Sequence, residues 1–344
     1  MTSGETLRQI EKTREANFRL LHLFSLYINE RADFIATEMV DEIAKIGSYG
    51  TEEAFLTLFS EACGVHLTDD GEDSAFFREF LAPSVRRLDP EKYRSDPYYR
   101  NIRFPNVIDG SWELRKDTYK PYQTFIWDDV RPDETLKELP PLGYFDEEFS
   151  YPVVLEDGRE WMLVTPNEVE TIRPAVHAAR GRIVTFGLGL GYFPYMASEK
   201  DTVERVVIVE KDPAVIRLFR QYILPQFDHA EKIEVINDDA FAYLEKAMPR
   251  EHFDYAYADI WHDAGDGVPF YLRFNKYEER FPETRFDYWI EETMLSYLRW
   301  YDFDHMPADV RDPYRWLNND NTKQRARTLT SDAWCAYLND KEIL

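Results

Sequence analysis

The chain has 344 residues, 44% hydrophobic and 15% aromatic, which supports a packed core and excludes wholesale disorder. Lys and Arg number 41 against 65 Asp and Glu, a formal charge of −24 at pH 7. A field of that sign repels phosphate backbones, so nucleic acid is set aside as a partner, whereas polyamines and basic proteins would be attracted.

Cys63 and Cys335 are too few and too far apart for a disulfide framework or a four-ligand zinc site. The N-terminal residues carry acids and no apolar signal core, and no apolar run approaches the ~20 residues of a membrane span. The expected location is therefore the cytoplasm, with no membrane partner.

In chain order, residues 1–97 read as helical. "LRQIEKTREANFRLLHLFSLYI" sets Leu7, Ile10, Phe18, Leu21 and Phe24 mostly at helical steps, and Thr51 followed by acids marks a helix start. This region carries no legible chemistry and is read as a packing or homo-oligomerisation module. Residues 98–165 form a β-hairpin region, since Asp109-Gly110 and Asp157-Gly158 each sit between β-prone runs. Residues 166–270 are the expected cofactor-binding core, opening with a helix and then alternating strands and helices as parallel sheets do. Residues 271–344 read as helical and irregular, with no fifth strand visible and an irregular arm over 302–330.

The chemistry concentrates in the core. "RIVTFGLGLGY" is a strand, Ile183 to Phe186, running into Gly187, Gly189 and Gly191. Glycine serves where backbone turns tightly and lies against a ligand. A dinucleotide fingerprint needs its third glycine at position 192, which is Tyr192, and no Gly-Lys-Ser/Thr follows to make a P-loop. A second buried strand, Val206 to Val209, ends at Glu210, whose carboxylate can accept both hydroxyl hydrogens of a ribose. The third, "KIEVI", ends near Asp238 and Asp239, which either accept from an exocyclic amine such as adenine's or cap the next helix. The fourth runs through Phe253 to Ala258 and brings Asp259 to the sheet edge where ligands bind. His262, Asp263 and Asp266 follow in an overhanging loop, and His262 has the residue type for a base at neutral pH. That trio also has metal-ligating types, but loop acids are more often solvated and no metal is assigned.

Glycine loop, Glu210, Asp239 and Asp259, each at a strand end, resemble the class I S-adenosylmethionine-dependent methyltransferases over residues 182–263. The resemblance implies an α/β, Rossmann-like doubly wound sheet whose glycine loop passes under the methionine part of the cofactor. It implies Glu210 on the ribose, Asp239 on adenine, and Asp259 to Asp263 facing the reacting centre. The hairpin "VVLEDGREWMLVTP" ahead of the loop also resembles the spermidine synthase group. Those aminopropyltransferases use decarboxylated S-adenosylmethionine, and Asp259 and Asp263 would match their diamine-holding acids. Leu188 and Leu190 stand where that group has an Asp, only Glu168 after Pro166 and Asn167 matches its Tyr-His-Glu, and Thr185 replaces an acid of the general pattern. The resemblance thus implies methyl transfer to a small-molecule or protein acceptor. Its alternatives are aminopropyl transfer or a non-catalytic protein that keeps the nucleoside pocket.

Overall fold

The computed structural model describes residues 3–67 and 71–340. The chain divides into two compact units. One takes the residues up to 93 together with 117–151 and 307–316; the other takes 94–116, 152–306 and the residues from 317 onward.

The first unit opens with helices Ser3–Arg31, Thr37–Gly47 and Thr51–Ala62. Gly50 is the N-cap of the third, so Thr51 lies inside its first turn instead of capping it. A small sheet sets Leu142–Tyr144 between Val85–Arg87, which runs parallel to it, and the antiparallel Thr124–Ile126. The core is aromatic: Phe55 stacks on Tyr144 with ring centroids 3.9 Å apart, and Phe59 meets Tyr27 edge-on at 4.7 Å.

In the second unit five strands form one parallel sheet: β1 (Gly181–Phe186), β2 (Val203–Glu210), β3 (Ile233–Asn237), β4 (Tyr255–Ala258) and β5 (Arg285–Tyr288). Their order across the sheet is β3-β2-β1-β4-β5, with every pairing parallel. Starting in the middle and winding outward both ways makes this a Rossmann-like doubly wound sheet, with its switch point between β1 and β4.

Burial on both faces explains why the inner strands are continuous apolar runs. Val184, Phe186, Val207 and Val209 share one core with Phe241, Leu244, Phe274 and Leu298, drawn from helices Ala240–Lys246, Ala264–Glu278 and Glu291–Asp304. On the alternate positions, Tyr257 stacks on Phe193 of helix Tyr192–Ser198 with centroids 4.4 Å apart.

The fifth strand lies in the stretch read as helical and irregular, hidden in sequence that shows no strand pattern. Arg285 ion-pairs with Asp287 at 2.9 Å and only Tyr288 of the four residues is buried, so this edge strand presents no apolar run. No further strand follows it among the described residues. The stretch expected as an irregular arm contains helices Pro313–Trp316 and Asn319–Ala326, the latter capped by the Asn318 side chain.

Ahead of the sheet, Phe149–Glu156 and Arg159–Leu163 form a hairpin whose turn residues Asp157 and Gly158 have φ of 50° and 76°. Both positive angles match the strand twist, which is what favours Asp-Gly in such a turn. No described helix is long and apolar enough to cross a membrane.

The Phe193 stack supplies a test of the sheet's packing. Phe193 is 4% exposed, and Phe193→Ala is expected to lower stability by about 3–5 kcal/mol in chemical denaturation.

Candidate functional site at the carboxyl edge of the sheet

The glycine loop leaves β1 and turns against two neighbouring strand ends. Gly187, Gly189 and Gly191 have φ of 95°, 56° and 80°, angles that strain any residue with a side chain. At Gly187 the requirement is doubled, because a Cβ there would stand 1.9 Å from the backbone oxygen of Asp259. Bonds from the loop's own amides help to hold it. The Gly187 N–H donates to the Val209 carbonyl at 3.0 Å, and the Gly191 N–H to that of Leu188 at 3.0 Å. The Leu188 N–H donates to Oε2 of Glu210 at 3.1 Å.

Glu210 is 7% exposed at the end of β2, and its other oxygen accepts from the Asp212 N–H at 2.8 Å. The acid therefore braces the loop and its own turn through one bond per oxygen. A carboxylate offers about four lone-pair sites, so capacity for two hydroxyl donors remains. Thr185 is buried and points its hydroxyl at the Gly187 carbonyl, 3.4 Å away.

After β3, the Asp238 N–H donates to the Glu210 carbonyl at 3.1 Å, which ties the third strand end to the second. Asp239 caps helix Ala240–Lys246: its Oδ1 accepts from the Phe241 and Ala242 N–H groups at 3.0 and 2.9 Å. Between ligand contact and capping, the use visible in the structure is capping, and Oδ2 of Asp239 makes no bond among the described residues.

Asp259 differs from all of these. Its N–H donates to the Phe186 carbonyl at 2.9 Å, fixing it beside the glycine loop. Its half-buried carboxylate makes no hydrogen bond or ion pair with the described residues. Burial, reinforced by the negative charge of Glu168, pushes its pKa up to about 8. Glu168 comes from the first turn of helix Pro166–Ala178, where it completes a capping box with Thr165, accepting from that residue's N–H at 2.7 Å and from its hydroxyl. Burial raises the Glu168 pKa as well, with the hydrogen bonds from Thr165 opposing the rise. Both acids therefore hold their protons above the usual carboxylate range, and the negative charge of Glu168 is felt at Asp259.

The loop after β4 is organised otherwise. Asp263 caps helix Ala264–Glu278, its Oδ1 accepting from the Gly265 and Asp266 N–H groups at 2.7 and 3.1 Å, and Asp266 returns the bond to the Asp263 N–H. His262 is exposed, with Nδ1 3.3 Å from Oδ2 of Asp266. These three residues form a helix start, and no group of three or more metal-ligating side chains occurs among the described residues. Glycine loop, Glu210, Asp238 and Asp259 are thus brought together at the edge, Asp239 and Asp263 act as caps, and His262 stands in solvent. Glu168 is the site residue that strand-end reasoning passes over, because it lies on a helix preceding the sheet.

No family model and no curated protein sequence matches this chain. Solved structures show partial likeness. One is spermidine synthase from Thermotoga maritima, 19% identical with a TM-score of 0.28, covering 37% of this chain and 45% of that one. Another is a spermidine synthase in complex with the transition-state analogue AdoDATO, 20% identical with a TM-score of 0.27, covering 37% and 43%. The chain spans less than half the length of either.

The free acid at Asp259 makes stability depend on pH. The folded carboxyl keeps its proton to about 8, whereas the ordinary value is 3.8, so the native state binds more protons in between. Stability contributed by this group is complete below about pH 4 and is lost as pH rises toward 8. Asp259→Asn is expected to flatten that fall, leaving the variant about 2 kcal/mol more stable than the parent at pH 9 once residual water contact is discounted. Urea denaturation of both proteins at pH 5 and pH 9 checks it.

Proposed function

We propose that this chain is a transferase that binds S-adenosylmethionine or its decarboxylated form and delivers a carbon group to an amine acceptor. The observation that carries the reading is the unpaired, half-buried Asp259 carboxylate at the end of β4, whose main chain lies against Gly187 and whose proton affinity is raised by burial and by the charge of Glu168.

The residues fit a sulfonium nucleoside. The left-handed glycine loop keeps side chains clear of the backbone that would meet the methionine portion, Glu210 keeps lone pairs for ribose hydroxyls, and Asp238 and Asp239 stand at the neighbouring strand end for the base. Such a cofactor supplies an electrophilic carbon and a neutral thioether leaving group. The protein's part is alignment, which can contribute about 7–11 kcal/mol, and removal of the acceptor's proton. An amine is protonated at neutral pH and must lose a proton to become a nucleophile. The ionised Asp259 carboxylate takes that proton at its free oxygen, and a base with a pKa near the working pH does so efficiently. Glu168, held by Thr165, adds negative charge that attracts the ammonium form of the acceptor. His262 and Asp263 serve this reading by fixing the helix that follows the site.

Methyl and aminopropyl transfer share this geometry. The Asp259–Glu168 pair favours an acceptor with more than one positive charge, which keeps the aminopropyl reading beside the methyl one. Titration calorimetry with S-adenosylmethionine, and with the decarboxylated form as competitor, separates them by preference. Heat from neither overturns the proposal. With an amine acceptor in hand, the rate is expected to rise with pH up to about 8. Asp259→Asn is then expected to retain cofactor binding and lose about 10²–10⁴-fold in turnover. His262→Ala is expected to leave turnover within a few-fold, and a loss comparable to that of Asp259→Asn would move the base to the loop.

A further inference from the structure

The glycine loop is gripped from outside the sheet by a short helix that the strand-end chemistry does not involve. Helix Pro97–Asn101 lies ahead of the first hairpin and packs on helix Tyr192–Ser198, the segment into which the loop runs. Tyr98 on this helix is 1% exposed, and its hydroxyl donates to the Leu190 carbonyl at 2.6 Å. Leu190 sits between two glycines whose φ angles are both positive, so its carbonyl direction is set by a backbone that few restraints hold.

Three further bonds stiffen the grip. Asp96 caps the short helix by accepting from the Tyr98 N–H at 2.9 Å, and its other oxygen accepts from the Tyr192 hydroxyl at 3.0 Å, the residue directly after Gly191. Asn101 donates to the Tyr195 hydroxyl at 2.8 Å. The Tyr98 ring meets those of Tyr192 and Tyr195 edge-on at 5.5 and 5.6 Å. A loop made flexible by three glycines is thereby locked at its far half by Tyr98 and Asp96, just as Glu210 locks its near half at Leu188.

We infer that Tyr98 is a positioning residue which, with Asp96 and Tyr192, holds the glycine loop in its ligand-ready conformation before any ligand arrives. The inference rests on the proposed function for its consequence in binding, but the clamp itself is a property of the free protein. Preorganisation of this kind strengthens binding by removing the need to order the loop on association.

The test is hydrogen exchange on the full-length chain without ligand, followed by calorimetry with S-adenosylmethionine. Tyr98→Phe keeps the ring packing and removes one bond. The expected result is exchange at least tenfold faster at the Leu188 and Gly191 amides, unchanged protection of the β2 amides, and an S-adenosylmethionine Kd raised about tenfold. Unchanged exchange in the loop overturns the clamp, and so does acceleration that spreads equally through β2, which would mark a merely structural tyrosine. If Tyr98→Phe does not fold, Tyr192→Phe reads the same amides, with about threefold faster exchange expected and no change overturning the clamp. Faster loop exchange in a protein that gives no heat with S-adenosylmethionine leaves the clamp standing and removes the cofactor reading instead.

Discussion

The contact on which the site depends is the passage of Gly187 directly under the backbone oxygen of Asp259, where a single methyl group would stand 1.9 Å from that oxygen. This closeness joins the ends of β1 and β4 at the sheet's switch point. It fixes the Asp259 main chain, since the Asp259 N–H is itself bonded to the Phe186 carbonyl. Rigidity in the sheet is thus transmitted to the Asp259 backbone, from which a half-buried carboxylate without a bond projects.

Around that point the acids divide by how many N–H groups they serve. Glu210, Asp239 and Asp263 each accept from backbone N–H groups, satisfying donors that loop turns and helix starts would otherwise leave bare. A carboxylate so engaged serves structure by giving those donors an acceptor. Asp259 has no such donor, and burial and the negative charge of Glu168 both favour its neutral form. In the reaction we propose, the proton is taken in the second environment, at the end of β4. The same division is our reason for assigning the proposed proton transfer to Asp259 instead of the exposed His262.

Much of the fold was legible. Continuous apolar runs mark strands covered on both faces, and glycines at 187, 189 and 191 mark a turn that must adopt left-handed angles. The fifth strand was not, because Arg285–Tyr288 is an edge strand whose charged residues pair with each other. The roles of the loop acids were half legible. Thr165 to Glu168 and Asp263 to Asp266 both follow the spacing of a capping box, a pattern that distinguishes a helix start from a ligand set.

By itself the sequence determined the first four strands of the parallel sheet, the hairpins and the edge at which carboxylates would gather, because hydrophobic period and turn chemistry act between residues close together in the chain. Tertiary structure alone decided which of those carboxylates would be free. The neighbour that raises the proton affinity of Asp259 comes from a distant segment, since Glu168 lies on the helix ahead of the sheet. Burial and hydrogen bonding are properties of assembled neighbours, so a carboxylate's proton affinity is set only when the sheet has brought its surroundings together.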